Sequence, residues 1–191
     1  MKKKVLSGLL AIAMVFGSAA ALPEGAFETS STITASALTE EDFEYELSED
    51  GTYAILTKYN NTSGAKCFIP NTLGGKPVEV IAEGAFANNT KLETVYSSYS
   101  SVRIISKKAF YGCSSLKSIS LPETLKEINN SAFEGCSSLH YPETLPESLE
   151  KIGNSAFKGC TSLTKIGTHI QAFLKIRSLL PRQNPLNTRF D

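Results

Sequence analysis

The sequence predicts a mainly β solenoid with short helical turns, and three recurring features predict it. The dipeptide Ala-Phe stands at Ala85-Phe86, Ala109-Phe110, Ala132-Phe133 and Ala156-Phe157, so the phenylalanines lie 24, 23 and 24 residues apart. A fixed period in that range marks an architecture whose units bury their apolar faces only against their neighbours. An aliphatic residue recurs four before each alanine (Ile81, Ile105, Ile128, Ile152) and another seven before it (Val78, Val102, Leu125, Leu149). Finally, Cys113, Cys136 and Cys160 each follow a phenylalanine by three residues.

The unit from Lys117 to Leu139 shows why these residues build a coil. Leu116 precedes Ile119 and Leu121, which alternate with Ser120 at the two-residue period of a strand. Pro122 ends that strand because it cannot donate to a ladder. A second short extended segment carries Leu125 and Ile128, and Asn129-Asn130-Ser131 is turn chemistry. Phe133 and Cys136, three apart, would share one face of a single helical turn.

The pattern L-x-x-I-x-L-P-x-x-L-x-x-I-x-x-x-A-F-x-x-C, running from Leu116 to Cys136, resembles the leucine-rich repeat of the BspA-type bacterial surface proteins. The resemblance covers about Cys67 to Leu163, and Ile69-Pro70 with Gly75-Lys76-Pro77-Val78 is similar to the way such arrays begin. It implies a leucine-rich-repeat solenoid, a secreted or surface-attached protein of the kind described as adhesins or binding modules, and no catalytic residues. Two copies depart from the pattern. Counted back from Phe110, the Leu-Pro position holds Ser98-Tyr99, and Leu139-His140-Tyr141-Pro142-Glu143 gains a residue before Leu145-Pro146. Both strands are expected to be irregular.

Residues 1–21 read as a secretory signal peptide. Lys2 to Lys4 precede the apolar run Val5 to Phe16, and Ala19-Ala20-Ala21 offers a cleavage site. The run is shorter than the roughly 20 residues of a spanning helix, so no transmembrane helix is expected after a cut following Ala21. Residues 22–38 are rich in Ser, Thr and Ala with no sustained period, as in a flexible spacer. Residues 39–66 are expected to form an N-terminal β cap: Phe43 to Leu47 alternates, Asp50-Gly51 supplies a turn, and Tyr53 to Tyr59 follows as the second strand of a hairpin. A hairpin laid across the first coil would cover its open edge and apolar end. The solenoid then occupies 67–163.

Residues 164–191 leave the frame. Ile170, Phe173, Leu174, Ile176 and Leu180 space out as a possible cap helix over 170–180, which Pro181 ends. The alternative is a truncated array with a non-native basic end, which would leave an exposed apolar face and favour self-association through the C-terminal end. Charge is segregated. Without Lys2 to Lys4 the chain has 16 basic and 19 acidic residues, and the tail holds five basic residues against Asp191 alone. Residues 22–163 therefore carry 11 basic and 18 acidic groups, an acidic body unsuited to displacing counterions from nucleic acid.

Candidate sites are few. The three in-frame cysteines should stack inside the coil as small apolar groups, and a ladder of three cannot pair completely; whether Cys67, Cys113, Cys136 or Cys160 bridges is left open by sequence. Zinc-ligand pairs two to four residues apart are absent, and His140 and His169 are the sole histidines. His140 lacks an adjacent nucleophile and orienting group, so no catalytic residue, cofactor or metal site is expected. Tyr96, Ser97, Ser98, Tyr99, Ser100 and Ser101 form an aromatic and hydroxyl cluster, with His140-Tyr141 at the comparable place two copies later. Tyr96, Tyr99, His140 and Tyr141 are the candidate partner-binding residues; equally, Tyr96 or Tyr99 could fill the space left by the missing Leu-Pro. Asn60-Asn61-Thr62 matches a glycosylation acceptor, a short motif of little weight. The expected function is a secreted or cell-surface module making protein-protein or adhesion contacts with an extracellular protein or glycan, without catalysis. The alternatives are a scaffolding component of an extracellular assembly or a fragment of a longer repeat protein.

Overall fold

The computed structural model of the chain describes residues 42–97, 100–142 and 145–163. Short strands dominate them: β1 (Phe43–Leu47), β2 (Ala54–Tyr59), β3 (Lys66–Phe68), β4 (Thr72–Leu73), β5 (Lys76–Ile81), β6 (Thr94–Tyr96), β7 (Ile104–Ile105), β8 (Ser118–Ile119), β9 (Glu127–Ile128), β10 (Tyr141–Pro142) and β11 (Lys151–Ile152). The chain winds as a solenoid with two parallel sheets. The first runs β1-β2-β5-β7-β9-β11, with β4 attached to β5, and the second runs β10-β8-β6-β3. Each coil contributes one strand to the second sheet, one to the first, and then the Ala-Phe turn.

Register follows the repeat. Val80 pairs with Ile104, Ile104 with Glu127, and Glu127 with Lys151 along the first sheet. Thr94 pairs with Ser118, and Ser118 with Tyr141, along the second. The two aliphatic columns that precede Ala-Phe are buried at every copy, as are the alanines, phenylalanines and in-frame cysteines. Coil against coil, they form one continuous core.

The Ala-Phe segment forms a third side held by its own ladder. The Phe86 N–H donates to Ala109 O at 2.8 Å, Phe110 to Ala132 at 2.8 Å, and Phe133 to Ala156 at 2.7 Å. The rings stack at the same pitch: Phe86 to Phe110 is 4.7 Å between centroids, Phe110 to Phe133 5.1 Å and Phe133 to Phe157 5.3 Å, all within 13° of parallel. The helical turn expected at Phe133–Cys136 takes the form of overlapping turns, with Glu134 N–H donating to Ser131 O and Cys136 N–H to Phe133 O. Left-handed residues bracket it and stop it from growing. The residue before each alanine has φ of 71° at Gly84, 56° at Lys108, 56° at Ser131 and 57° at Ser155, and the second residue after each phenylalanine has φ of 60° at Asn88, 71° at Gly112, 81° at Gly135 and 77° at Gly159.

The hairpin forms where its sequence places it. Asp50 Oδ1 accepts from Ser48 Oγ at 2.7 Å, Thr52 Oγ1 at 2.8 Å and Thr52 N–H at 3.1 Å, which ties the turn. Strand β2 is also the first parallel strand of the first sheet: Tyr59 N–H donates to Ala85 O at 2.9 Å, and its ring stands 5.1 Å from Phe86 as the first rung of the ladder. Phe43 of β1 then covers Tyr59 at 5.2 Å. The hairpin thus closes the first sheet and the ring ladder, whereas β3, at the rim of the second sheet, has no outer strand partner among the described residues.

The two departing copies keep their register in the second sheet. Because Val95 pairs with Ile119, Ser97 stands opposite Leu121, and Ser98-Tyr99 falls one residue later than a count from Phe110 places it. The extra residue in each copy therefore enters after the strand, and β6 and β10 both pair with β8. Ser97 occupies a leucine position by hydrogen bonding: its Oγ donates to Ser120 O, and its N–H donates to Ser120 Oγ at 3.0 Å. Residues 1–41, 98, 99, 143, 144 and 164–191, which include the expected signal peptide, spacer, start of the cap and cap helix 170–180, lie outside the described residues.

The left-handed positions can be tested by substitution. An L side chain at positive φ costs about 1–2 kcal/mol, partly offset by glycine's greater freedom in the unfolded chain. Ser155→Gly is expected to stabilise the fold by up to about 1 kcal/mol, and Gly135→Ala to destabilise it by about 1 kcal/mol or more. Urea unfolding of both variants, with opposite shifts in midpoint, checks the assignment.

Candidate binding face

The outer surface of the second sheet is built by strand alternation. Cys67, Val95 and Ile119 pair across β3, β6 and β8 and point inward. Their neighbours must point outward, giving two columns: Lys66, Thr94 and Ser118 by register, and Phe68, Tyr96 and Ser120 beside them. Phe68 and Tyr96 are 55% and 38% exposed, and their rings stack with centroids 4.5 Å apart and planes 14° from parallel. Such an exposed cross-strand aromatic pair is apolar area that folding does not use.

Hydroxyls and one ion pair surround it. Ser118 Oγ lies 3.5 Å from Thr94 Oγ1, Ser120 Oγ reaches Val95 O at 3.4 Å, and Lys117 Nζ is 2.9 Å from a Glu93 carboxylate oxygen at the border. Lys117 is thereby paired at the border, and Lys66 is the one charged side chain in the two columns.

Tyr96 does not fill the space of the missing leucine; it stands outward on Phe68, and Ser97 takes the inner place. His140 is exposed, with its N–H donating to Lys117 O at 3.1 Å, and Tyr141 is in β10, paired with Ser118. Strand β8 separates β10 from β6, roughly 10 Å at the strand spacing, so the backbones that carry Tyr96 and Tyr141 share a sheet two strands apart. Tyr99 lies outside the described residues. Phe68 went unpredicted. Its signal was the frame itself, since Ile69-Pro70 aligns with Leu121-Pro122 and puts Phe68 at the outward position of Ser120.

The cysteines offer no reactive centre. All four are free and buried. Cys113 Sγ lies 3.0 Å from Phe86 O, Cys136 Sγ 3.1 Å from Phe110 O and Cys160 Sγ 3.1 Å from Phe133 O, so each thiol donates to the carbonyl of the preceding coil's phenylalanine. Asn89 holds the same position in the first full coil, and Cys67 belongs to the inward strand column with Val95 and Ile119. Burial pushes the Cys67 and Cys160 thiols up to about 12, and contact with Cys113 together with burial raises Cys136 well above the ordinary thiol range. Among the described residues no three metal-ligating side chains converge, and no helix is long and apolar enough to cross a membrane.

Residues 58–178 match the family described as BspA type Leucine rich repeat region, in 6 copies. The chain belongs to that family. The match runs past Leu163, where the Ala-Phe-x-x-Cys frame stops, into the tail. Among solved structures, the leucine-rich repeat protein of T. pallidum is 32% identical at a TM-score of 0.56, over 65% of this chain and 68% of that one. A leucine-rich repeat protein from Bacteroides ovatus is 28% identical at 0.53, over 64% of this chain and 33% of that chain. One from Bacteroides capillosus is 31% identical at 0.52, over 60% of this chain and 89% of its own. No curated protein matches.

Buried thiols should be silent in the folded protein. At pH 7.5, Ellman's reagent is expected to modify none of the four cysteines at a rate above that of unfolding and all four in guanidinium. A fast-reacting thiol in native protein would contradict the burial of the ladder.

Proposed function

We propose that this chain is a secreted or cell-surface recognition module, without catalytic activity, whose partner sits on the outer face of the second sheet around Phe68 and Tyr96. The exposed stacked pair is the observation that carries the reading, because two aromatic side chains set among hydroxyl residues are the kind of anchor on which protein interfaces concentrate their binding energy. Membership in the BspA-type family and the leader pattern of residues 1–21 support export. The ring geometry favours a protein over a glycan. Each ring spends one face on the other, so the pair offers its edges and hydroxyl tip rather than a flat platform, and these suit insertion among the side chains of a protein surface. Thr94, Ser118 and Ser120 would form the polar rim, and His140 and Tyr141 extend the same sheet.

The test is binding of residues 22–191 to immobilised extracellular-matrix and serum proteins and, in parallel, to a glycan array. Saturable binding to a protein, weakened at least tenfold by Phe68→Ser with Tyr96→Ser, is expected; tenfold corresponds to about 1.4 kcal/mol. Both side chains are exposed, so the variant should melt close to the parent. Binding to glycans alone would overturn the protein reading, undiminished binding would overturn the site, and absence of saturable binding would favour a scaffolding role.

A further inference from the structure

The aromatic pair of the second sheet has a polar pair beside it. Strands β3 and β6 lie in register, with Lys66 opposite Thr94 and Phe68 opposite Tyr96. Cys67 and Val95 between them are buried, so the four side chains share the outer face. They form a two-by-two patch: one row is a cation and a hydroxyl, the other is the two stacked rings. Two residues along a strand separate the rows, about 7 Å.

The polar row is unspent. Of the eleven Lys and Arg side chains in the described residues, seven are in ion pairs with glutamates at 3.7 Å or less, and Lys108 lies over the Tyr111 ring, 5.4 Å from its centroid. Lys66, Lys76 and Lys91 have no such partner among the described residues, and Lys66 is exposed. The fold does not lack acids, since residues 22–163 carry 18 acidic and 11 basic groups. Glu93, next to Thr94, is held by Lys117 at 2.9 Å instead. Ser118 Oγ donates to Thr94 Oγ1 at a long 3.5 Å, which leaves the Thr94 hydroxyl proton available.

We infer that the partner docks an extended segment in which a carboxylate stands two residues from an aromatic or large aliphatic side chain, the carboxylate on Lys66 and Thr94 and the apolar group on Phe68 and Tyr96. The inference rests on the proposed binding face and adds the chemistry of its occupant. Charge complementarity is one support, because a carboxylate accepts from both an ammonium and a hydroxyl. Screening confines the field to within about 8 Å at physiological salt, so Lys66 sets the local sign although the body is acidic. Spacing is the other support. Side chains two apart on an extended chain face the same way at the separation of the two rows, whereas adjacent ones face opposite ways. A lysine on an edge strand also discourages pairing with other chains. That role needs a charge of either sign, and the test exploits the difference.

The purified protein is applied to an array of glycine-serine peptides in which two positions, separated by one residue, are varied over all pairs of amino acids. Members that combine Phe, Tyr, Trp or Leu with Asp or Glu are expected to bind best. Lys66→Glu should weaken those members about tenfold or more and turn the preference to members bearing Lys or Arg, because like charges then meet. Lys66→Arg should keep the parent order. Lys76→Glu makes the same change at an exposed lysine of β5 and should shift binding by less than about twofold. A preference unmoved by Lys66→Glu would overturn the inference, as would best binding by uncharged or basic members, or by none. Those results leave the binding face standing if Phe68→Ser with Tyr96→Ser still weakens capture by matrix or serum protein; undiminished binding in that double variant would overturn face and inference together.

Discussion

Every part of this fold depends on one axial spacing. Backbone hydrogen bonds hold successive coils at the strand separation, about 4.8 Å, and each side chain must then pack against the residue at its own position one coil away. The ring centroids, 4.7 to 5.3 Å apart, sit at that spacing because the Ala-Phe backbone ladder sets it; the rings follow the ladder. Flat aromatic groups stack on copies of themselves at this distance, branched aliphatic residues interlock, and alanine leaves the backbones free to approach. A residue that cannot stack on its own kind cannot be repeated.

The polar positions obey the same constraint. Glu79 with Arg103, Glu83 with Lys107, Glu93 with Lys117, Glu127 with Lys151, and Glu134 with Lys158 are each 24 residues apart and alternate in sign from coil to coil. Exposed pairs of this kind contribute at most about 1 kcal/mol each; their larger effect is to avoid stacking like charges. Cysteine solves the inner corner differently. A thiol is small enough to stack and can still donate to the carbonyl beneath it, so the ladder of Cys113, Cys136 and Cys160 gives Phe86, Phe110 and Phe133 carbonyls a second donor beside the backbone N–H three residues on.

Whatever repeats with the coil was legible in the sequence, because the physical constraint is itself periodic. The Ile, Leu, Ala-Phe and Cys columns, the two-strand coil and the Asp50-Gly51 hairpin could all be read from spacing and turn chemistry. What escaped was what substitutes for a repeat residue. Tyr59 serves as the first ring of the ladder at a spacing of 27 from Phe86, in a cap strand whose alternation gives no hint of it. Ser97 takes a leucine position by bonding to Ser120, which only the strand register reveals. The binding face was half legible: Tyr96 stood out by composition, but its partner Phe68 lies outside the tyrosine and serine cluster. It becomes visible once Ile69-Pro70 is set in frame with Leu121-Pro122.

On the proposed reading, placement of the aromatic pair separates recognition from array length. In a solenoid each coil contacts only its neighbours, so a perturbation at one end decays within a coil or two. Phe68 and Tyr96 lie on the first two strands of the second sheet and depend on β3, β6 and β8, not on the coils that carry Phe157 or Leu163. Extending or shortening the array at its C-terminal side changes how many hydroxyl-bearing strands continue the face and leaves the anchor intact. The N-terminal rim is different, because among the described residues β3 has a strand neighbour on one side alone, and Phe68 stands exposed on it. Whatever occupies the outer edge of β3 therefore bears directly on the anchor, by ordering its backbone and by covering or exposing one face of its ring.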